Sequence, residues 1–315
     1  MTGVIIKSTG SWYWVRTETH KQYQCRIRGK FRTKGIKSTN PVTVGDHVEF
    51  ELEEKTNTGV INEIHDRKNY IVRKSVKLSK QTHIIAANID IAFLIVTLDH
   101  PPTFPPFIDR FLATAEAYHI EAVLLFNKID LLDEELDQKK NKLLQIYRKI
   151  GYTCLEISAK EGTNVDQVKN LMLGKISMFS GHSGVGKSTL INAIAPELNL
   201  KTAEISTQHK QGQHTTTFAE MFPINTEPES YIIDTPGIKG FGVVDFEPLE
   251  IGDFFPEFFS RKHLCKFNNC LHVNEPKCAI KEALDKGEIA PSRYRSYIQI
   301  LEGDEAHYRT VKYDL

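Results

Sequence analysis

The 315-residue sequence lacks several features that would place it in a specialised class of protein. No apolar run approaches the roughly 20 residues that a membrane-spanning helix needs. The first residues lack the charged start, apolar core and cleavage site of a signal peptide, so we expect a cytoplasmic protein. Cysteine is scarce, with five residues, and no internal repeat is visible. With 40% hydrophobic and 25% charged residues, the chain is typical of a soluble globular protein of two or three domains.

The formal net charge is zero, but the charge is unevenly distributed. Residues 1–80 contain 16 Lys/Arg and 8 Asp/Glu, so this segment carries +8 and the rest of the chain carries −8. Eight of the basic side chains lie within residues 16–37, which hold one acidic residue, Glu18. A basic module on an acidic protein indicates a polyanionic partner, and a merely solvated basic surface explains the charge equally well.

Residues 1–72 alternate short β-type runs with turn signals. Five short strands in about 70 residues predict a small closed barrel of the oligonucleotide-binding (OB) type. Aromatic residues among the basic ones suit stacking on bases and contact with phosphates, although about half of these aromatics fit a barrel core. The predicted strands are Gly3–Lys7, Trp12–Thr17, Gln22–Arg28, His47–Leu52 and Gly59–Ile64.

From Ile89 onward strands and helices alternate, which predicts a mostly parallel sheet covered on both faces. The polar residues 73–88 are predicted to be a linker, and residues 202–217 a loop that orders on ligand binding. The predicted strands are Ile89–Leu98, Ala122–Phe126, Thr153–Ile157, Ile176–Ser180, Phe218–Pro223 and Ser230–Asp234. The predicted helices are Pro106–Tyr118, Glu134–Ile150, Asn164–Leu173 and Thr189–Ala195.

The C-terminal part of the chain is predicted to be a separate module docked on the α/β domain. Six phenylalanines are expected in its core: Phe241, Phe246, Phe254, Phe255, Phe258 and Phe259. Two helices, Ala279–Lys286 and Pro291–Glu302, are expected to end the chain.

A phosphate-binding loop follows the predicted strand that ends at Ser180. It matches the pattern G-x-x-x-x-G-K-[ST] between a strand and a helix, the context that the pattern requires. Backbone N–H groups close around phosphate oxygens, Lys187 can reach the β and γ phosphates, and the Ser188 hydroxyl can hold Mg²⁺. The residues of the predicted phosphate site are Gly181, His182, Ser183, Gly184, Val185, Gly186, Lys187, Ser188 and Thr189.

Four further motifs belong with this loop. Asn127, Lys128, Ile129 and Asp130 end one strand, where a carboxylate can accept both N–H donors of a guanine edge. Ser158, Ala159 and Lys160 end another and can meet the guanine carbonyl through backbone N–H groups. Asp234-Thr235-Pro236-Gly237 offers a carboxylate that can hold Mg²⁺ through water and a glycine N–H for the γ phosphate. His214-Thr215-Thr216-Thr217 offers hydroxyls for Mg²⁺.

The order of these motifs indicates a circularly permuted GTPase. In the usual order the phosphate loop comes first and the guanine-reading motifs come last. Here residues 127–130 and 158–160 precede the loop at 181–188, and residues 234–237 follow it. Joining the old ends and cutting elsewhere leaves the sheet unchanged. The guanine-reading motif argues against a small-molecule kinase that uses the same phosphate loop.

Cys265, Cys270, His272 and Cys278 are spaced C-x4-C-x-H-x5-C. In a cytosolic chain such close cysteines are metal ligands more often than disulfides. Three thiolates and an imidazole predict a closed, structural zinc site, and the alternative is a set of unrelated cysteines.

These three parts in this order closely resemble the ribosome small-subunit-dependent GTPase A family, over essentially the whole chain. The resemblance implies an OB-type barrel at 1–75, a permuted Ras-like α/β GTPase domain at 76–242 and a zinc-binding α-helical module at 243–315. It also implies binding to the small (30S) ribosomal subunit and its 16S-type rRNA late in maturation, with GTP hydrolysis that the subunit stimulates. We expect a monomer that binds GTP and GDP.

Slow unaided hydrolysis is expected because Ile238 stands where Ras-type enzymes carry a water-orienting glutamine. Lys187, Ser188, Thr216 and His214 are the candidate catalytic residues, with His214 the candidate for positioning the attacking water. The competing hypothesis is an RNA-binding GTPase switch that acts on another RNA, such as tRNA.

Overall fold

The computed structural model describes residues 1–28, 41–53, 58–74, 82–199, 219–234 and 246–303. The chain divides into two compact units. The first unit comprises Met1–Ile91, Lys169–Phe179 and Glu197–Lys239. The second unit comprises Ala92–Val168, Ser180–Pro196 and Gly240–Leu315.

The described residues form the following regular elements. The strands are β1 (Thr2–Ser8), β2 (Tyr13–Arg16), β3 (Gln22–Ile27), β4 (His47–Leu52), β5 (Gly59–Ile64), β6 (Tyr70–Lys74), β7 (Thr82–Ala87), β8 (Ile91–Val96), β9 (Glu121–Phe126), β10 (Thr153–Glu156), β11 (Ile176–Ser180), β12 (Glu220–Ile224) and β13 (Ser230–Asp234). The α-helices are α1 (Pro105–Ala117), α2 (Glu134–Ile150), α3 (Val165–Met172), α4 (Lys187–Ile194), α5 (Pro248–Ile251), α6 (Pro256–Phe259), α7 (Ala279–Asp285) and α8 (Pro291–Leu301). Short 3-10 helices occupy Ile129–Leu131, Pro196–Leu198, Gly252–Phe254 and Lys262–Leu264.

The first five strands close into a barrel in the first unit, as predicted. β1 pairs antiparallel with both β2 and β4, β2 pairs with β3, β3 pairs parallel with β5, and β5 pairs antiparallel with β4. Alternation along each strand sends one set of side chains inward. The barrel core consists of Ile5, Tyr13, Val15, Cys25, Val42, Val48, Phe50 and Ile61.

The first unit also holds two strand groups beyond the barrel. β11 runs parallel to β13, and β12 pairs antiparallel with both β13 and β1. β6 and β7 form a separate antiparallel pair. The prediction of a linker at 73–88 is therefore wrong, because backbone pairing between β6 and β7 organises a segment that polarity alone assigned to a connection.

In the second unit, β10, β9 and β8 are neighbours in that order, and β10 runs parallel to β9. α2 has the predicted bounds, and its ends show why. The Asp133 carboxylate accepts the N–H of Leu136 at 2.8 Å, acidic residues occupy the first turn, and Arg148 and Lys149 occupy the last. Charges so placed complement the helix dipole. Within the described ranges, no helix combines the length and hydropathy of a membrane span.

A C-terminal helical module, residues 246–303 as described, packs its core around α8 and against α1. Its buried residues include Ile251, Phe255, Phe258, Cys278, Ile280, Tyr297 and Ile300, and Ala113 of α1 joins the same core. Phe246 and Phe254 are partly buried against it, whereas Phe259 is 56% exposed, so the prediction that Phe259 is a core residue is wrong. Phe241 lies outside the described residues.

A buried ion-pair group joins α1 to this module. The Arg293 side chain is fully buried, with Nε 2.7 Å from Glu257 Oε1 and Nη1 2.9 Å from Asp109 Oδ1. Its guanidinium also lies 4.5 Å from the centre of the Phe255 ring, and Tyr147 donates to Asp109 at 2.9 Å. Burial raises the pKa of Asp109, and the nearby Arg293 opposes that rise. Removing one partner of such a group leaves a buried charge uncompensated.

Gly45 supplies a stability test of the first unit. Its φ is +89°, and a Cβ placed there would lie 2.0 Å from the Ala87 carbonyl oxygen. Gly45→Ala is expected to cost roughly 3 kcal/mol, because the backbone strain is joined by a clash with main-chain atoms. Gly287→Ala is the matched control: φ is +71° and nothing lies within 4 Å, so only about 1 kcal/mol of strain is expected. Equal losses in urea unfolding would contradict the close approach.

Candidate nucleotide site and metal centre

The two motifs predicted to read guanine follow neighbouring parallel strands of the second unit. Asn127 comes directly after β9, and Ser158 comes two residues after the end of β10. The N–H of Ile129 donates to the Ile157 carbonyl at 3.3 Å, and Ser158 is fully buried with its hydroxyl accepting the N–H of Glu161. Parallel strands present their carboxyl ends at one edge, where ligands of open α/β sheets bind.

Asn127 joins both guanine motifs to the phosphate loop. Its side-chain Nδ2 donates to the Val185 carbonyl at 2.7 Å, and its Oδ1 accepts the N–H of Ala159 at 2.9 Å. The side chain is 2% exposed, so both bonds are shielded from water. Loss of either bond would leave a buried polar atom of this amide without a partner, which is destabilising. The Asn127 side chain therefore holds three separate segments together.

The phosphate loop approaches Asn127 closely because Gly186 has no side chain. Gly186 has φ +95°, and a Cβ placed there would lie 2.5 Å from Asn127 Nδ2. Gly186 is also the N-cap of α4, which has no side-chain cap. The first N–H groups of α4, where Lys187 and Ser188 lie, therefore suit an anion such as phosphate.

Lys128 makes a second connection to the loop. It has φ +65°, and its ammonium donates to the carbonyls of Gly184 at 2.8 Å and His100 at 2.5 Å. Asp130 is exposed, and the Lys160 side chain is exposed beside Glu161. The side chain predicted to read guanine thus faces solvent, as a base-binding group must before the base arrives. Sequence reasoning missed His100, since no motif marks the segment after β8.

A third contact reaches the phosphate loop from α1. The ring centres of Phe107 and His182 are 4.1 Å apart with the ring planes tilted by 32°. Sequence reasoning had placed His182 in the phosphate site without a partner. The aromatic contact shows that α1 also borders this loop.

The predicted magnesium and γ-phosphate residues are only partly within the described chain. Asp234 is the last residue of β13, where its backbone pairs with that of Glu220. Gly237, His214, Thr216 and Ile238 lie outside the described residues, so their assignments stay predictions.

The four predicted metal ligands come together in the C-terminal module. One ligand atom from each of Cys265, Cys270, His272 and Cys278 lies within 4.8 Å of every other. His272 Nδ1 is 3.7 Å from Cys265 Sγ and 3.4 Å from Cys278 Sγ. Tetrahedral zinc with Zn–S of about 2.3 Å and Zn–N of about 2.05 Å requires an S···N separation of about 3.6 Å. The cluster can therefore hold a metal, and its donor set and spacing fit zinc.

The backbone around His272 is fixed from both sides. The Glu275 carboxylate accepts the N–H groups of Leu271, Val273 and Asn274 at 2.7–3.1 Å, and these bonds lower its pKa against the opposing effect of burial. Tyr294 and Tyr297 of α8 donate to the carbonyls of His272 and Leu271, each at 2.6 Å. Burial lowers the pKa of His272, which favours the neutral imidazole that a metal needs.

The two remaining cysteines differ from the cluster. Burial raises the pKa of the Cys25 and Cys154 thiols to about 12. Both are buried residues within strands, and neither belongs to the ligand group. They are inert core residues at neutral pH.

Cys270→Ser is expected to abolish stoichiometric metal binding, because only three of the four ligands of a tetrahedral site remain. It should also lower the melting temperature, because the core of the module surrounds the site and metal binding contributes to folding. Metal content by elemental analysis and thermal unfolding measure the two effects. Cys154→Ser, which removes a buried thiol elsewhere, should retain the metal. Full metal content in Cys270→Ser would contradict the ligand assignment.

Comparisons with known proteins agree with these features. A family model described as RsgA GTPase matches residues 64–244, and one described as the RsgA N-terminal domain matches residues 2–61. The protein named small ribosomal subunit biogenesis GTPase RsgA in Christiangramia forsetii is 65% identical over 99% of this chain and 99% of its own length. Its namesake in Flavobacterium johnsoniae is 64% identical over 99% and 96%, respectively.

Two solved structures share the whole architecture. YjeQ from Thermotoga maritima has a TM-score of 0.79 and 35% identity, covering 96% of this chain and 97% of its own. YloQ, described as a circularly permuted GTPase, has a TM-score of 0.76 and 31% identity, covering 99% and 96%. The predicted barrel, permuted GTPase domain and C-terminal Cys₃His module are thereby confirmed as the fold class. The chain belongs to the RsgA family of GTPases.

Proposed function

We propose that this protein is a GTP-hydrolysing assembly factor that binds the small ribosomal subunit late in its maturation and whose hydrolysis the subunit stimulates. The observation that carries the proposal is the bonding of Asn127 to both Val185 and Ala159, which unites guanine-reading and phosphate-binding segments in one site. Relatives named for small-subunit biogenesis, at 65% and 64% identity over nearly the full chain, supply the biological setting.

In this proposal each motif has a defined role toward GTP. The Asp130 carboxylate accepts the two N–H donors of guanine. The N–H of Ala159 is already donated to Asn127, so the N–H of Lys160 meets the guanine carbonyl. Lys187 contacts the β and γ phosphates, and Mg²⁺ is held by Ser188 and Thr216, with Asp234 acting through water.

Two residues are proposed to act at the γ phosphate. The N–H of Gly237 donates to a γ-phosphate oxygen, and His214 positions the attacking water. Because Ile238 cannot orient that water, unaided turnover is slow and the partner completes the site.

The barrel is the first proposed rRNA-binding surface. Its outer face carries Trp14, half-buried, with Lys7 opposite it on β1 and Gln24 opposite it on β3. The Lys7 ammonium lies 5.9 Å from the centre of the Trp14 ring, and Arg26 is exposed further along β3. An aromatic face between cations suits a base stacked beside its phosphates.

The C-terminal module carries the second proposed rRNA-binding surface. Phe259 and Phe267 are 56% and 37% exposed, and each has a lysine ammonium near its ring, Lys262 at 4.9 Å and Lys266 at 5.2 Å. We propose that this surface contacts 16S-type rRNA, with the Cys₃His cluster holding one structural Zn²⁺ that shapes it.

The proposed domain organisation is a barrel at 1–75, a permuted GTPase domain at 76–242 and a zinc module at 243–315. It works as a cytoplasmic monomer that cycles between GTP and GDP. The second candidate function is a GTPase switch on another RNA such as tRNA, which the same basic and aromatic barrel surface favours.

The test is steady-state GTP turnover with small ribosomal subunits, with large subunits, with tRNA and with no addition. We expect at least a tenfold rise in kcat with small subunits alone. Arg26→Glu should reduce the stimulation and leave unaided turnover unchanged, because Arg26 is exposed on β3 of the barrel and its ion-pair partner, Glu53, also belongs to the barrel. Stimulation by tRNA instead would favour the second candidate, and no stimulation by either would contradict both.

A further inference from the structure

Three side chains contact three different positions of the phosphate loop. Asn127 bonds to the Val185 carbonyl, Lys128 bonds to the Gly184 carbonyl, and Phe107 packs on the His182 ring. The first two belong to the guanine-reading motif, whereas Phe107 belongs to α1, which carries no nucleotide motif. The aromatic contact therefore connects the phosphate loop to α1, a helix that also contacts the C-terminal module.

The contact between α1 and the C-terminal module lies on the opposite side of the helix from Phe107. Phe107 and Asp109 are two residues apart, which is about 200° around the helix axis. Asp109 and Ala113 are four residues apart and share a face. Asp109 bonds to Arg293 of α8, and Ala113 lies in the core of the C-terminal module. One side of a single rigid helix thus meets the phosphate loop, and the other side meets the module.

We propose that Phe107 and Arg293 are positioning residues for the phosphate loop, Phe107 acting through His182 and Arg293 acting through Asp109 and α1. The proposal rests on the GTPase function proposed above and adds to it a dependence of nucleotide binding on the C-terminal module. Neither residue needs to touch the nucleotide.

The charges explain why Arg293 acts at a distance. Arg293 is fully buried between the carboxylates of Asp109 and Glu257, and Asp109 is fully buried as well. Removing the guanidinium leaves both carboxylates without it, so they must take up a proton or move toward water. Asp109 belongs to α1, and the same helix carries Phe107. A displacement of about 1 Å at a phosphate-binding loop is enough to change binding and turnover measurably.

The first experiment tests the contact between Phe107 and His182. Phe107→Leu, His182→Gln and the double variant are compared by the Kd of a fluorescent GDP analogue and by kcat and KM for GTP. Each single change should weaken binding about three- to tenfold, the range expected for loss of an aromatic pair. The double variant should be no weaker than the weaker single variant.

Two further variants make this result specific. Phe107→Tyr keeps the ring and should bind within about twofold of the parent protein. Tyr118→Leu makes the same kind of change at the other end of α1 and should leave the Kd unchanged. Additive losses in the double variant, or an equal loss in Tyr118→Leu, would overturn the role of Phe107.

The second experiment tests the connection to the C-terminal module by a double-mutant cycle between Phe107→Leu and Arg293→Met. Independent sites give additive losses, whereas sites joined through one helix do not. We expect Arg293→Met to weaken GDP binding severalfold when Phe107 is present and to add nothing in the Phe107→Leu background. Arg293→Lys, which keeps the charge, should recover most of the affinity. Arg293→Gln, which also removes the charge, takes the place of Arg293→Met in the cycle if Arg293→Met fails to fold. Additivity would overturn the proposal.

A reciprocal measurement separates positioning from general stability. If the nucleotide and module are linked, GDP must strengthen the binding of zinc to the Cys₃His cluster, which equilibrium competition with a chromogenic chelator measures. We expect this effect in the parent protein and its loss in Phe107→Leu. A zinc affinity of the parent protein that does not depend on GDP would overturn the linkage. A parent protein that binds no zinc would refute the proposed zinc site and leave the cycle above as the test.

Discussion

The nucleotide site depends on one buried amide. The Asn127 side chain donates to the phosphate loop and accepts from the segment after β10, so three stretches separated by up to about 60 residues share one set of hydrogen bonds. In this permuted chain residues 127–130 and 158–160 precede the phosphate loop at 181–188. The hydrogen bonds of Asn127 and Lys128 hold these stretches together.

The C-terminal module depends on a comparable constraint. Arg293 is buried with two carboxylates, one from the module and one from α1, so the module cannot separate from α1 without exposing an ion-pair group that water would have to resolvate. The Cys₃His cluster is joined to the same module by Tyr294 and Tyr297, whose hydroxyls donate to the backbone carbonyls of His272 and Leu271. α8 therefore supports the candidate metal ligands with two tyrosines and the α1 contact with Arg293.

Much of this arrangement could be predicted because its signals are local. Glycines, lysine and serine mark the phosphate loop, capping residues bound α2, and close cysteine spacing marks the metal cluster. β7 was missed because the mostly polar residues 73–81 precede it, and its pairing with β6 was not evident from the sequence. Phe259 was assigned to the core because aromatic character alone does not reveal whether a side chain points into the core or toward solvent. The contacts of His182 and Arg293 join positions far apart in sequence, so no local pattern could indicate them.

In the proposed GTPase, segments out of their usual order build one guanine-specific site, with Asp130 as the reader of the base. The most direct test is the relative affinity of Asp130→Asn for xanthosine and guanosine diphosphates. An asparagine amide can donate to the xanthine carbonyl, whereas it offers only one acceptor in place of the two carboxylate oxygens that guanine requires. We expect the variant to prefer the xanthine nucleotide. Retained selectivity for GDP would contradict it.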